Sequence, residues 1–432
     1  MNAIHESFLS GEQSDVLRLI TAGSVDDGKS TLIGRLLYDS KGVFADQLDA
    51  ISRAKHKRVQ AGQIDFALLT DGLEAEREQG ITIDVAYRYF STPQRKFIIA
   101  DAPGHEQYTR NMVTGASTAD VAVILIDATR VQDGRLLPQT RRHSTLAKLL
   151  GIRHIVVAVN KMDLAGWDRK VFDDIHAAYR ALTERLGIDT FHILPISALG
   201  GDNVVTRSQH TPWYDGPPLL TVLESLDVRS TRHAQPLRFP VQWVLRHGGS
   251  QSNDFRGYTG RIASGSVSVG DTVCVQPSGE QATVAAIHLH DSRRETAVAG
   301  DSVTLVLDRD VDVSRGDVIA SARAPARVGR MFEAEVCWLD QQPLSTVRKY
   351  LLKQGTRLTQ ARILSLTSRR EVLELQSQAT GDIVLNMNDI GTIKLQTREA
   401  LAYDAYDELP GTGAFILIDA ATHQTAAAGL LR

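Results

Sequence analysis

One lysine and one serine stand in the sequence at the spacing that proteins use to bind phosphate groups. The segment Gly23-Ser24-Val25-Asp26-Asp27-Gly28-Lys29-Ser30-Thr31 contains the pattern G-x-x-x-x-G-K-[ST]. Its glycines let the backbone curl, so that successive N–H groups point at one anion. Lys29 then reaches the β- and γ-phosphates of a nucleotide, and the Ser30 hydroxyl is suited to bind Mg²⁺.

The predicted elements on either side suit this motif. The apolar residues 16–22 predict a buried strand, and residues 31–37 predict a helix whose N-terminus lies under the phosphates. The alternative interpretation is a glycine-rich turn without a ligand. Three later motifs, each at the carboxyl end of an apolar run, make that alternative negligible.

The first of these motifs is Asp101-Ala102-Pro103-Gly104, which follows the apolar run 97–100. A carboxylate at the end of a buried strand can hold Mg²⁺ through water, and Gly104 lets a backbone N–H approach the γ-phosphate. We therefore expect Asp101 to lie beside the metal.

The second and third motifs predict which base is bound. Asn160-Lys161-Met162-Asp163 follows the run 154–159, and Ser197-Ala198-Leu199 follows 191–196. Asp163 can accept hydrogen bonds from guanine N1–H and the 2-amino group, whereas adenine would leave it unpaired. Lys161 would lay its alkyl stem along the base, and the Ser197–Leu199 loop would contact it through backbone N–H groups. The predicted ligand is GTP or GDP rather than ATP.

Composition limits the other classes of function. The chain has 432 residues, 43% of them apolar, and a net charge of −3, which suggests about three domains and no electrostatic attraction to nucleic acid or membrane. The longest apolar run, 121–126, is too short to span a membrane. The first 15 residues do not resemble a signal peptide, and two separated cysteines indicate buried reduced thiols. We therefore expect a cytoplasmic protein.

The chain divides by pattern into three predicted domains. Residues 16–228 alternate strands with helices, which predicts an α/β P-loop domain with a mostly parallel sheet and helices on both faces. From residue 236, short alternating runs are separated by Gly-rich turns, which predicts two antiparallel β-barrels, 236–323 and 328–432.

On these motifs the chain resembles the translation-factor-type GTPases, which have an elongation factor Tu-like architecture of three domains. Within that superfamily it is most similar to the GTP-hydrolysing large subunits of bacterial sulfate adenylyltransferases. The segments that carry the resemblance are 23–41, 76–90, 103–112 and 415–419. Two departures are Ala102, where threonine is usual, and the segment 130–140, which is longer than usual and predicts a repositioned loop after Asp127.

The resemblance implies a specific activity. Such a subunit couples GTP hydrolysis to the formation of adenosine 5′-phosphosulfate and pyrophosphate from ATP and sulfate. The adenylyl-transfer site would lie on a smaller partner subunit of the ATP-pyrophosphatase type. Some family members carry a fused adenylylsulfate kinase domain after the second barrel. No second phosphate-binding motif occurs in these 432 residues, so the chain is expected to be an unfused subunit or to lack that domain.

The resemblance also implies roles for individual residues. Thr82 would bind Mg²⁺ with Ser30 and Asp101 and would sense the γ-phosphate, against the alternative of a surface threonine. His105, next to Gly104, would orient the attacking water, against the alternative of a polar loop residue. Val25 and Ile81 form either an apolar gate beside that water or ordinary packing. Lys29 would stabilise the charge that develops on the phosphate.

Two functions of other classes remain open at this stage. A translation factor would escort aminoacyl-tRNA under GTP control, although the acidic balance and the acid at Asp419, where elongation factors usually carry arginine, argue against it. A nucleotide-dependent regulator without coupled chemistry would show the same motifs.

Overall fold

A computed structural model of the chain describes residues 16–40, 66, 85–103, 109–131, 134–228, 234–247, 255–290, 292–371, 376–379 and 384–432. The chain forms two compact units, Met1–Leu226 and Asp227–Arg432. Three of the predicted functional residues, Thr82, Gly104 and His105, lie outside the described residues, as does Ile81.

The first unit contains a six-stranded sheet in the order β2-β3-β1-β4-β5-β6. Only β2 is antiparallel to its neighbour, and the other neighbouring strands run parallel. The predicted mostly parallel sheet is therefore confirmed. The strands are β1 (Val16–Ala22), β2 (Ala86–Ser91), β3 (Lys96–Asp101), β4 (Val121–Asp127), β5 (His154–Asn160) and β6 (His192–Pro195).

Five described helices accompany this sheet: α1 (Lys29–Asp39), α2 (Thr109–Ala116), α3 (Pro138–Leu149), α4 (Arg169–Leu186) and α5 (Leu219–Ser225). Helix α4 begins where the Asp168 side chain accepts a hydrogen bond from Lys170 N–H at 2.8 Å. It ends at Gly187, whose φ of 64° is the left-handed conformation that favours glycine.

Helix α3 is longer than the pattern predicts. The apolar residues 146–150 predict only its end, whereas the helix begins at Pro138. Proline is favoured in a first turn because the missing N–H would have no partner there. The buried side of α3 carries polar side chains, among them Thr140, His143 and Ser144, so the apolar spacing that reveals a helix is absent from its first half.

The core of the first unit determines where functional residues can lie. All seven residues of β4 are buried, and β5 is buried from Ile155 to Asn160. Parallel strands present their carboxyl ends at one edge of a sheet, which is where open α/β sheets bind ligands. Polar residues that follow β1, β3, β4, β5 and β6 are therefore brought to a common edge.

The second unit contains two antiparallel barrels, as predicted. The first barrel runs β10-β15-β7-β8-β14-β11 and closes through pairing of β10 with β11. Strand β12 pairs antiparallel with β11, and β9 pairs antiparallel with β13. The strands are β7 (Arg238–His247), β8 (Phe255–Arg261), β9 (Ser266–Ser268), β10 (Thr272–Gln276), β11 (Glu280–Leu289), β12 (Ser292–Arg294), β13 (Thr296–Val298), β14 (Ser302–Leu307) and β15 (Val318–Ser321).

The second barrel runs β17-β21-β22-β16-β20-β18 and closes through pairing of β17 with β18. Each barrel encloses its own apolar core. The strands and the short helix are β16 (Arg327–Trp338), β17 (Tyr350–Gln354), β18 (Arg357–Glu371), β19 (Gln376–Ala379), β20 (Ile390–Tyr403), α6 (Pro410–Gly413), β21 (Ala414–Asp419) and β22 (Thr425–Leu431).

Both cysteines lie in these barrels. Cys274 on β10 and Cys337 on β16 are buried, and neither is part of a disulfide. Burial raises the pKa of the Cys274 thiol, which keeps it protonated and unreactive. None of the helices within the described residues is long and apolar enough to cross a membrane.

Candidate nucleotide-binding site

The phosphate-binding segment joins β1 to α1, with Lys29 as the first residue of the helix. The Lys29 ammonium donates hydrogen bonds to the carbonyl oxygens of Gly23, at 3.1 Å, and Ser24, at 2.8 Å. Its side chain is buried, and burial lowers its pKa, opposed by the nearby acids Asp101, Asp27 and Asp26. An ammonium has three protons to donate, and the described residues accept two of them. The third is available to a phosphate oxygen.

Gly28 is required at the turn into α1 for two reasons. Its φ is 92°, a left-handed conformation that costs side-chain-bearing residues energy. A Cβ at this position would also lie 2.4 Å from the Asn160 amide nitrogen. The close approach of the loop to Asn160 therefore depends on glycine.

Asn160, the last residue of β5, joins the phosphate loop to the predicted base loop. Its Nδ2 donates to the Asp27 carbonyl oxygen at 2.8 Å, and its Oδ1 accepts from Ala198 N–H at 2.9 Å. The side chain is buried. One amide thus sets the spacing between the two loops that would hold the two ends of a nucleotide.

Asp27 closes the phosphate loop on itself. Its Oδ2 accepts from Ser24 N–H at 2.6 Å, and its Oδ1 lies 3.6 Å from the Arg130 guanidinium, which also donates to Val25 O at 2.8 Å. Burial raises the pKa of Asp27, and the Ser24 N–H and the cations of Lys29 and Arg130 oppose that rise. The buried Ser24 hydroxyl makes no hydrogen bond with any residue that the structure describes.

Lys161 is held by an acid at the end of β4. Its ammonium lies 2.7 Å from Asp127 Oδ2, while Asp127 Oδ1 accepts from Thr129 N–H and Oγ1. Burial raises the pKa of Asp127, but the hydrogen bonds from Lys161 and Thr129 outweigh it, so the pKa is lowered overall. This ion pair fixes the direction of the Lys161 stem, along which a base can pack.

The residues predicted to face the metal lie on adjacent elements. Asp101 ends β3 and is buried, and its Oδ1 accepts from Thr21 Oγ1 at 3.3 Å. Ser30 is half-buried in the first turn of α1. Of the nearby acids, Asp101 has the largest effect in raising the pKa of Lys29. Oxygen donors of this kind suit Mg²⁺.

The predicted base end is more open than the phosphate end. Asp163 is exposed, and no side chain or N–H of the described residues donates to its carboxylate. Ser197 is buried, and its hydroxyl accepts from Gly200 N–H at 3.0 Å, which shapes the loop. Ala198 is buried, whereas Leu199 is exposed. The Asp163 carboxylate is thus available to a ligand.

The described part of the predicted site is brought together at one edge of the sheet, and the roles of its residues stay predictions. Sequence reasoning gave no role to Asp127, Arg130 or Arg35, which hold the loops in place. Asp127 ends an apolar run as Asp101 does, and that signal was present in the sequence. The two arginines carry no such signal, because their acceptors are backbone carbonyls distant in sequence.

Asp419, which argued against tRNA binding, has a local structural role. Its Oδ1 accepts from the N–H groups of Ala421 and Thr422 at 2.9 Å, and its Oδ2 lies 3.3 Å from Arg348. These backbone hydrogen bonds lower its pKa. The acid therefore stabilises the turn between β21 and β22, which is sufficient to explain its presence.

Comparison with known families and proteins extends these observations. The elongation factor Tu GTP binding domain matches residues 14–230, and the GTP-eEF1A C-terminal domain-like family matches residues 331–432. Among solved structures, the Ski7 GTPase-like domain of S. cerevisiae bound to GTP covers 99% of both chains at a TM-score of 0.50 and 16% identity. That likeness concerns the fold alone.

Two curated relatives are much closer in sequence. "Sulfate adenylyltransferase subunit 1" of Bacteroides thetaiotaomicron is 49% identical over 97% of this chain and 87% of its own length. "Bifunctional enzyme NodQ" of Rhizobium sp. (strain N33) is 49% identical over 100% of this chain. This chain spans 65% of the length of that NodQ protein.

Proposed function

Because the chain belongs to the sulfate adenylyltransferase subunit 1 family, we propose that it is the GTP-hydrolysing subunit of such an enzyme. GTP hydrolysis on this chain would be coupled to the formation of adenosine 5′-phosphosulfate and pyrophosphate from ATP and sulfate. The observation that carries the proposal is that Asn160 joins the phosphate loop, next to the buried Lys29, to the predicted base loop. The relationship to subunit 1 supplies the substrates.

The described residues fit a guanine nucleotide. Lys29 and the N-terminus of α1 would hold the phosphates, with the Ser24 hydroxyl, which has no partner in the described residues, beside them. Lys161 and Asp163 would hold the base. A carboxylate acceptor at the guanine edge discriminates strongly, because the wrong base leaves it buried and unpaired.

The same residues fit a magnesium ion. Ser30 and Asp101 would hold it from this part of the chain, and Thr82 would complete the set. When bound, Mg²⁺ neutralises charge on the β- and γ-phosphates. Lys29 would hold its charge where negative charge builds up in the transition state. His105 would orient the water, and Gly104 would offer its N–H to the γ-phosphate.

The proposed partner is a small subunit of the ATP-pyrophosphatase type that carries the adenylyl-transfer site. Adenylylsulfate formation from ATP is strongly uphill, so a coupled hydrolysis is the kind of reaction that must drive it. We place this assembly in the cytoplasm, where buried reduced thiols such as Cys274 and Cys337 persist. Neither nucleic acid nor membrane is needed for this activity.

The test is coupled turnover in the assembled enzyme. The chain is co-purified with its candidate small subunit, and adenylylsulfate and GDP are measured together with ATP and sulfate present. We expect adenylylsulfate to accumulate with GTP and not with GDP, and GTP hydrolysis to rise when ATP and sulfate are added. The Lys29→Ala complex should lose both. Assembly without GTP-dependent adenylylsulfate would contradict the proposal, as would retention of aminoacyl-tRNA by the isolated chain in a filter-binding assay.

A further inference from the structure

Arg35 lies on α1, close to the predicted base loop rather than to the phosphates. Its Nε donates to the Ala198 carbonyl oxygen at 3.3 Å, and its Nη2 donates to the Leu199 carbonyl oxygen. Its Nη1 lies 3.5 Å from Asp39 one turn along the helix, and its side chain is 15% exposed. The guanidinium therefore joins the helix that follows the phosphate loop to the loop predicted to contact guanine.

The plane of this guanidinium is enclosed by two neighbours. Its central carbon lies 4.1 Å from the centroid of the buried Phe66 ring. A Cβ built on Gly201 would lie 3.3 Å from that carbon, and the φ of Gly201 is 87°. The short Cβ distance and the positive φ both favour glycine at position 201. A flat, delocalised cation suits this site in a way that a lysine ammonium does not.

We propose that Arg35 is a positioning residue for guanine recognition, which it performs by holding the Ala198–Leu199 carbonyl groups so that the loop's N–H groups face the base. This inference rests on the proposed function, because it takes the Ser197–Leu199 loop to be the base loop. Arg35 touches no part of the nucleotide itself.

Asn160 and Arg35 hold the base loop from two directions. Asn160 accepts from Ala198 N–H, and Arg35 donates to the carbonyl groups of Ala198 and Leu199. Asn160 also binds the phosphate loop, so its loss would damage both ends of the site. Of these two loops, Arg35 binds only the base loop. Its loss should therefore weaken binding of the base and leave binding of the phosphates unchanged. That difference makes the proposal testable.

The experiment measures the affinity of the full chain for Mg·GTP, Mg·ITP and inorganic tripolyphosphate by titration calorimetry. ITP lacks the 2-amino group that Asp163 would read, and tripolyphosphate lacks the base. We expect Arg35→Ala to weaken GTP and ITP by the same factor, about tenfold to hundredfold for a lost charged hydrogen-bond pair. Tripolyphosphate should bind within about twofold of the parent, the spread of a neutral surface change.

The matched control is Arg169→Ala, which removes an exposed helical arginine that also pairs four residues along, with Asp173 at 3.3 Å. It should leave all three affinities unchanged. Arg35→Lys keeps the charge and the stem, so it protects the test against loss of folding. Lysine lacks the planar fork of donors that meets the two carbonyl oxygens, so the GTP affinity of Arg35→Lys should lie between those of the parent and Arg35→Ala.

Parent affinity for GTP in both Arg35 variants would overturn the inference. An equal loss for tripolyphosphate would overturn it as well, since Arg35 would then stabilise the whole unit rather than the base loop. The proposed function fails separately, and its failure is recognised in the parent chain. A parent that does not bind Mg·GTP contradicts the guanine site whatever Arg35 does.

Discussion

Two buried cations, Lys29 in the first unit and Arg238 in the second, differ in the acceptors that surround them. Arg238 donates to both carboxylate oxygens of Asp404 at 2.8 Å and to the carbonyl oxygens of Leu237 and Ala324. Thr412 Oγ1 donates to the same carboxylate. Among the described residues Lys29 has two carbonyl acceptors, and its pKa is lowered by burial.

The difference is the one expected between a structural charge and a charge that binds a ligand. A buried cation paired with a buried carboxylate needs no ligand to balance its charge, and the pair fixes the strands that contribute it. A buried cation with an incomplete set of acceptors costs folding energy, which proteins retain where a ligand supplies the missing acceptor. The neighbouring Ser24 hydroxyl is a second example, because it is buried without a partner among the described residues.

The largest effect is expected where the completed pair is broken. Arg238→Ala leaves Asp404 buried without its cation, so the free energy of unfolding should fall by about 3–5 kcal/mol. Urea unfolding measures this loss. The control is Arg362→Ala, an exposed arginine that donates to the Gln396 side chain, and its loss should cost less than about 0.5 kcal/mol. Equal midpoints for Arg238→Ala and the parent would refute the structural assignment.

Removing Lys29 should impair activity without lowering stability. Lys29→Ala should lower the rate of GTP hydrolysis by about 10²–10³-fold, the effect of losing a preorganised charge in a transition state. Its free energy of unfolding should stay equal or rise, because the variant no longer buries a poorly solvated ammonium. Single-turnover kinetics and urea unfolding give the two values. Lys170→Ala removes an exposed lysine paired with Asp174 and should change neither. A Lys29→Ala protein that hydrolyses GTP at the parent rate would end the assignment.

The exposed Asp163 carboxylate allows a third comparison, because it is available to a ligand. Asp163→Asn should weaken GTP binding by about tenfold to hundredfold and should improve binding of XTP, whose 2-oxo group accepts from an amide. Competition titrations with both nucleotides measure the change. Asp189→Asn alters another exposed acid of the first unit and serves as the control. Unchanged preference for GTP over XTP would show that Asp163 does not read the base.

His143 on α3 gives the smallest effect. Burial, together with the cations of Lys29 and Arg142, lowers the pKa of His143 to about 3, and its Nδ1 has no hydrogen-bond partner within the described part of the chain. The unfolded chain therefore binds more protons than the native one below about pH 6.5, and stability falls as the pH falls towards 3. The expected loss between pH 7 and pH 5 is about 2 kcal/mol.

His143→Gln should remove that part of the acid sensitivity, as measured by urea unfolding at several pH values. His192→Gln, which alters an exposed histidine on β6, should retain the parent's pH dependence. If His143→Gln and the parent lose stability in parallel between pH 7 and pH 5, then His143 is protonated in the native state and the assignment is wrong.

Much of the fold followed from pattern. The run 16–22 predicted β1 with the bounds that the structure has, and the Gly-rich turns after residue 236 predicted two barrels. These succeed because a buried strand and a turn leave their mark on consecutive residues. The start of α3 did not follow, because its first half buries polar residues and so lacks the apolar spacing of a helix.

The sequence by itself determined the residue types of the site and their order along the chain: a lysine after a glycine turn, and polar residues at the ends of apolar runs. Only the tertiary structure decided how these are held. Asn160 joins two loops, Arg130 reaches Val25, and Arg35 reaches the base loop over 163 residues of separation. Such contacts depend on the register of neighbouring strands and on the packing of α1. No local sequence pattern predicts them, because every residue has the same backbone carbonyl group.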